Sequence, residues 1–369
     1  MGIILRLHNY GDILILAIQA KWIKDISGKD VVLPFSNENF RKTINTPMIR
    51  GFEALKNSDK IVYGAGGYFG EPLTHRWKWG FQFFKTLHFI PAEYAILKKL
   101  KYAIIGVGAG PITNIFTKKE IIRICNYASV ITVRDIESKE YLIEYGCLGD
   151  KIYVTADVAL TLTKDNLPSS SLQTVNSLLK NNYCAFKYGV NIGVDLDSPV
   201  YGLQAKLMID ECVKFFNENH EILPVLIVDH NNNNQKKAIE YVKEKIKTKY
   251  IIFRYGIDGD IWDMSALLSE LDTVVTNKLH VGIVSYALGT SCIAFPYHPK
   301  TLRFYKQIQQ QDLCIPLLDL SKGQVYSILK NTLIEDWRKN WVGKRHNNYP
   351  VLFEKAKLNK VLLKNFLET

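Results

Sequence analysis

Short apolar, β-branched runs alternate with segments of helical period along most of the chain. The first series comprises Ile3–Leu7, Val31–Leu33, Lys60–Tyr63, Tyr102–Val107, Val130–Val133 and Ile152–Val154, each followed by a Gly-rich or polar turn. Runs such as Tyr102-Ala103-Ile104-Ile105-Gly106-Val107 are apolar on both faces. They suit a parallel sheet covered on both sides by helices. The polar stretch Thr163–Ser171, with Asn166, Pro168 and three serines, interrupts this pattern and has the turn chemistry of a linker. A second series follows: Tyr188–Gly193, Ile222–Val228, Tyr250–Phe253, Thr273–Thr276 and Cys292–Phe295, with helices including Leu203–Phe216 and Gln235–Ile246. The pattern predicts an α/β protein with two Rossmann-like domains of parallel sheet, over residues 1–165 and 180–320, and a helical tail over residues 321–369. The segment Trp77–Leu97 is unusually aromatic and reads as a buried helix or, alternatively, as a lid or a surface that touches a membrane.

At 369 residues the chain exceeds what one core usually supports, so two domains fit its length as well as its pattern. Its content, 47% hydrophobic and 22% charged, excludes a disordered chain. Six scattered cysteines form no C-x-x-C pair and no zinc spacing, which points to a reducing compartment and to no metal cage. The N-terminus is an apolar strand cut by charge and lacks a cleavage site, and no apolar run reaches the ~18 residues a spanning helix needs. A cytoplasmic protein is expected. The net charge of +11 is uneven, because residues 321–369 hold ten Lys or Arg against four Asp or Glu. That tail reads as a solvated face, or as a peripheral contact with anionic lipid or a polyprenyl-phosphate acceptor. No nucleic-acid module accompanies the charge, so nucleic acid is not an expected partner.

Ligands of open α/β sheets bind beyond the carboxyl ends of the strands, which directs attention to four turns. In His8-Asn9-Tyr10-Gly11-Asp12, Gly11 permits a sharp turn and Asp12 opens a helix, either as a plain cap or as a base facing a cleft. Gly64-Ala65-Gly66-Gly67 and Gly106-Val107-Gly108-Ala109-Gly110-Pro111 follow apolar strands, so Gly66, Gly67, Gly108 and Gly110 are candidates to present backbone N–H groups to an anion. Neither turn completes the G-x-G-x-x-G fingerprint, which argues against a nicotinamide enzyme. In Thr276-Asn277-Lys278-Leu279-His280 a cation and an imidazole meet at a helix N-terminus, an arrangement that makes most sense with an anionic ligand between them. Tyr297-His298-Pro299-Lys300 and Val133-Arg134-Asp135 repeat the theme. Arg134, Lys278, His280 and Lys300 are expected to converge in a cleft suited to a small, multiply charged acid. Asp195-Leu196-Asp197 has the form of a metal-holding D-x-D, but such triplets are frequent in loops, and no metal is expected.

Taken in order, Asn9-Tyr10-Gly11-Asp12, Gly64–Gly67, Gly106–Pro111, Val133–Ser138, Ala156-Asp157-Val158-Ala159, Thr276–His280 and Tyr297–Lys300 resemble the polysaccharide pyruvyl transferases, over most of the chain. The resemblance implies a fold similar to GT-B glycosyltransferases, with a ligand cleft between an acceptor-side first domain and a donor-side second one. It further implies phosphoenolpyruvate as donor, held by Arg134, Lys278, Leu279, His280 and Lys300, with no cofactor. The acceptor would be a sugar of a surface polysaccharide or of its polyprenyl-diphosphate-linked precursor. His280 is expected as general acid, Asp12 as base to an acceptor hydroxyl, and Lys300 as a further catalytic cation. The chain departs from the family at Lys278, where Arg is usual, and at His298, where Asp is usual; the resemblance gives His298 no role. A lysine is a point charge where arginine is a planar fork. The competing reading is a GT-B-type glycosyltransferase that uses a nucleotide sugar.

Overall fold

The computed structural model describes residues 2–4, 9–34, 41, 46–49, 51–72, 76–182 and 184–369. The chain divides into two compact units. The first holds Asp12–Thr161, Leu352–Thr369 and the described residues before Asn9; the second holds Asn9–Gly11 and Leu162–Val351.

The sheet of the first unit contains β1 (Gly2–Ile4), β2 (Ile61–Tyr63), β3 (Gly66–Phe69), β4 (Tyr102–Ala109), β5 (Ile131–Val133) and β6 (Ile152–Val154). All pairings are parallel, in the order β1-β2-β4-β5-β6, with β3 continuing alongside β4. Every residue of β4 is buried, as expected of a strand covered on both faces. Of the run Ile3–Leu7, residues Leu5–Leu7 lie outside the described residues. Val31–Leu33 is buried but contributes one bridged residue, Val32, in place of the expected strand.

The sheet of the second unit contains β7 (Phe186–Asn191), β8 (Ile222–Val228), β9 (Ile251–Arg254), β10 (Thr273–Thr276) and β11 (Ser291–Ala294). It is parallel throughout, in the order β11-β10-β7-β8-β9. Helices Gly202–Glu218, Asn233–Lys243, Ile261–Ser269 and Leu279–Leu288 link successive strands. Because the chain runs outward from β7 to β9 and then returns to the other side of β7, the order reverses between β7 and β10. That reversal leaves a crevice beyond the strand ends where ligands bind in sheets of this kind.

Trp77–Leu97 is not one buried helix. It comprises a short helix Arg76–Lys78, a π-helix Trp79–Phe89 and an α-helix Ile90–Leu97 opened by Pro91. Phe84 and His88 are buried, whereas Trp77 and Phe81 are exposed.

The basic tail does not stand as an element of its own. Its long helix Glu335–Glu368 belongs to the second unit up to Val351 and to the first from Leu352. Four of the tail's ten cations are paired with carboxylates: Lys339 with Glu335, Lys344 with Asp312, Lys357 with Glu354 and Lys364 with Glu368. Arg345 donates to the carbonyls of Tyr286 and Ala287, at 2.7 and 2.6 Å, in the last turn of helix Leu279–Leu288. At the chain's end Lys60 does the same for the carbonyls of Phe366 and Leu367, at 3.0 and 2.7 Å.

Candidate active site

In the second unit, polar side chains are knitted together where the strand order reverses. Asn191, the last residue of β7, donates to Asp229 at 2.9 Å and accepts from the hydroxyl of Thr276, the last residue of β10, at 2.9 Å. Gln235 also donates to Asp229, at 2.5 Å. Asn277 donates to the Phe295 carbonyl at 2.5 Å and accepts from the Gly193 N–H at 3.4 Å. Asn191, Asp229, Thr276 and Asn277 are all nearly fully buried. Satisfied polar groups at such depth hold the strand ends in one arrangement.

Lys278 and His280 emerge from this frame. The Lys278 N–H donates to Thr276 Oγ1 at 2.9 Å, and Lys278 takes the N-cap position of helix Leu279–Leu288 with extended backbone and no side-chain cap. The first N–H groups of a helix lack intrahelical acceptors and, with the macrodipole, favour an anion. A cation and an imidazole are therefore set at an anion-attracting helix start, both half-buried. Leu279, expected to hold donor, has its side chain in the core at 5% exposure. Only its backbone N–H is presented at the helix start.

Two glycines make room for these side chains. A Cβ at Gly193 would stand 2.0 Å from Lys278 Cε, and one at Gly11 would stand 2.2 Å from His280 Cβ. The role expected of Gly11 as a sharp turn is thus corrected: the helix Tyr10–Ser27 already includes it, and it is small because His280 lies against it. Tyr10, fully buried, donates its N–H to the Asp229 carbonyl at 3.0 Å and pairs its hydroxyl with Ser265 at 2.7 Å. Burial pushes its phenol well above the ordinary range, so it stays neutral. Asp12 is the next residue after Gly11, in the first turn of the same helix.

His298 acquires a role from the structure. It is the N-cap of helix Pro299–Gln307, and its Nδ1 accepts from the Lys300 N–H at 3.4 Å. An Asp would cap the same helix, which accounts for the exchange of one residue type for the other. Lys300 is the second residue of this helix.

In the first unit Arg134 follows β5 and is 6% exposed. Its guanidinium lies 3.4 Å from Asp157 and 3.7 Å from Asp135. A Cβ at Gly108 would approach the guanidinium to 2.6 Å, and one at Gly67 to 3.6 Å. The segment after Arg134 is structural: Asp135 caps helix Ile136–Tyr145 by accepting from the Ser138 N–H at 2.7 Å, and Ser138 accepts from the Ala109 N–H at 2.8 Å.

The glycine turns are accordingly not open anion loops. Gly66 and Gly67 begin β3, and Gly108 lies within β4. The Gly106 N–H donates to Thr132 Oγ1 at 2.6 Å, and that of Gly110 to the Phe69 carbonyl at 3.1 Å. Gly108 is small to admit Arg134, and Gly106 has a φ of +75°, which favours glycine.

Asn359 escapes sequence reasoning altogether. Fully buried on the C-terminal helix, it accepts from the hydroxyls of Thr132 and Thr155 at 2.5 and 3.0 Å and donates to the Ala156 carbonyl at 2.9 Å. It thereby braces the two strand ends that carry Arg134 and Asp157. Asp197, of the D-x-D, is paired with Lys237, and Asp195 accepts from the Asp197 N–H at 3.1 Å. Among the described residues no group of three His, Cys, Asp or Glu side chains is placed to hold a metal ion. None of the helices among them is long and apolar enough to cross a membrane.

The whole fold resembles that of solved nucleotide-sugar enzymes. A putative UDP-N-acetylglucosamine 2-epimerase from Listeria monocytogenes superposes with a TM-score of 0.67 at 12% identity, covering 100% of this chain and 97% of that one. MnaA from S. aureus, solved with UDP, gives 0.65 at 10% identity, covering 97% and 94%. The UDP-GlcNAc 2-epimerase from Neisseria meningitidis, bound to UDP-GlcNAc, gives 0.63 at 9% identity with complete coverage of both. At such identities the likeness establishes a GT-B-like fold of two Rossmann-like sheets and nothing of the chemistry. No curated protein matches the sequence. The polysaccharide pyruvyl transferase profile, however, matches residues 9–299, from the residue before Tyr10 to the start of the helix that carries Lys300. The turns that hold Arg134, Lys278 and His280 all fall inside that match, and the chain belongs to the polysaccharide pyruvyl transferase family.

Proposed function

We propose that the protein moves the enolpyruvyl group of phosphoenolpyruvate onto two hydroxyls of a sugar, in a surface polysaccharide or its lipid-linked precursor, forming a cyclic ketal and releasing phosphate. The observation that carries this reading is the pairing of Lys278 and His280 at a helix start where the strand order reverses, inside the family match. A carboxylate and a phosphate both suit a helix N-terminus reinforced by a cation. Arg134, held among carboxylates in the first unit, is the third donor-binding cation of the proposal, and Lys300 the fourth.

In the proposed reaction His280, as imidazolium, protonates the methylene carbon of the donor, and the adjacent carbon takes on oxocarbenium character. One sugar hydroxyl adds there as its proton passes to Asp12. Phosphate departs with the C–O bonding pair, and the second hydroxyl closes the ring as its proton passes to His280, neutral since its first transfer. Lys278, Arg134 and Lys300 stabilise negative charge on the carboxylate and the leaving phosphate. No cofactor takes part.

The bound UDP and UDP-GlcNAc of the structural neighbours favour a second reading, a nucleotide-sugar transferase. Titration without added metal separates the two, because a ligand that binds the folded state raises its thermal stability. Phosphoenolpyruvate is expected to stabilise the protein, and Lys278→Ala or His280→Ala to abolish that effect. Stabilisation by UDP or UDP-GlcNAc with none from phosphoenolpyruvate would overturn the donor assignment.

A further inference from the structure

The aromatic segment of the first unit presents large exposed apolar side chains among a surplus of cations. Trp77 and Phe81 are 67% and 52% exposed, and their rings stack with centroids 5.4 Å apart and planes 8° off parallel. Inward of them Phe84 is fully buried against Phe69 and Trp79, so this turn is anchored while its outer side chains are offered outward.

The start of the neighbouring helix Ile115–Tyr127 extends the surface with Ile115 and Phe116, 61% and 62% exposed. Two contacts fix the elements side by side. Glu71 accepts from Thr113 Oγ1 at 2.8 Å and from the Asn114 N–H at 2.9 Å, and it lies 3.9 Å from Arg76. A Cβ at Gly80 would stand 2.9 Å from Thr117 Oγ1. Four large apolar side chains thus share one side of the unit.

Among the described residues of 71–90 and 113–120, the cations Arg76, Lys78, Lys85, Lys118 and Lys119 face only two carboxylates. One of these, Glu71, has its side chain only 4% exposed; burial raises the carboxyl of the other, Glu120. Tryptophan and phenylalanine beside lysines match the interface of a bilayer, where rings sit at headgroup depth and ammonium groups meet lipid phosphates. A second copy of the chain is a poor occupant, since a two-fold contact would set cations against cations.

We infer that the Trp77–Phe81 and Ile115–Phe116 surface docks the protein on an anionic lipid bilayer. The inference rests on the first unit alone and deepens the proposed function by naming where a lipid-linked acceptor is met. Of the two expected membrane contacts, it takes the aromatic segment and not the basic tail.

The test is co-sedimentation of the full chain with phosphatidylcholine vesicles and with vesicles that also contain phosphatidylglycerol. Binding to the anionic vesicles alone, released by salt, is expected. Both the Trp77→Ser/Phe81→Ser and the Lys78→Glu/Lys85→Glu double variants should weaken it by roughly tenfold or more, with the urea midpoint and the phosphoenolpyruvate response unchanged. Reversing the charge of Lys355 and Lys360 in the tail should leave binding intact. Absence of binding, equal binding to neutral vesicles, or binding lost only in the tail variant would overturn the proposal. So would a dimer that dissociates in Trp77→Ser/Phe81→Ser. Loss of the phosphoenolpyruvate response in the unaltered protein would instead count against the donor assignment alone.

Discussion

The two units hold their site cations in opposite ways. Arg134 is buried between Asp135 and Asp157 with glycine backbone against its guanidinium. Lys278 is half-buried, at a helix start whose backbone itself attracts anions. A cation embedded among carboxylates maintains structure as much as it binds, whereas one at a helix N-terminus is set out for a ligand. Substitutions at the two positions should therefore fail differently.

The largest effect is expected for Arg134→Ala. It would leave two buried carboxylates without their counter-charge, at a cost of about 3–5 kcal/mol, read from urea unfolding. Removing Asp157 as well should recover part of this loss, and a strictly additive double variant would break the contrast between the units. Arg134→Ala alone is consequently a poor reporter of donor binding.

Protons act on the first unit too. Burial against Tyr68 and Phe84 pushes the His88 imidazole down from its ordinary 6.5 to about 3. Between those values the unfolded chain binds a proton that the folded chain does not. Stability should thus be full above about pH 6.5 and decline as pH falls towards about 3. His88→Phe should flatten that decline when urea midpoints at about pH 7 and about pH 5 are compared.

Asn359→Ala comes next, at about 1–3 kcal/mol for the hydroxyls and carbonyl it leaves unsatisfied. If Asn359 braces Arg134, the variant should also raise the KM for phosphoenolpyruvate more than it lowers kcat. The smallest effect on stability belongs to Lys278→Ala, within about 0.5 kcal/mol, with the stabilisation by phosphoenolpyruvate lost. A large loss of stability there would mean that both cations are structural.

Most strands of both sheets were legible because burial on two faces writes continuous apolar runs, such as Tyr102–Val107 and Ile222–Val228, whereas β3 was read as a glycine turn and Val31–Leu33 as a strand it does not form. Lys278, His280 and Arg134 were legible as candidates because strand ends in such sheets are where chemistry sits. What holds them was not. Asn191 meets Thr276 across 85 positions, and Asn359 meets Thr132 across 227. No local period records a hydrogen bond between residues so far apart. Glycine misled for a related reason: Gly108 and Gly11 look like flexible turns in sequence, but their smallness answers to side chains that arrive from elsewhere in the chain.

The cap that His298 gives to the helix of Lys300 also dictates the chemical form of its ring. A nitrogen that accepts from a backbone N–H cannot itself carry hydrogen, so the proton of the neutral imidazole must reside on Nε2. The two ring nitrogens should then be widely separated in a nitrogen-15 spectrum, as a single tautomer requires. Protonating Nδ1 would turn the acceptor into a donor facing another donor and remove the side-chain cap from the helix that carries Lys300.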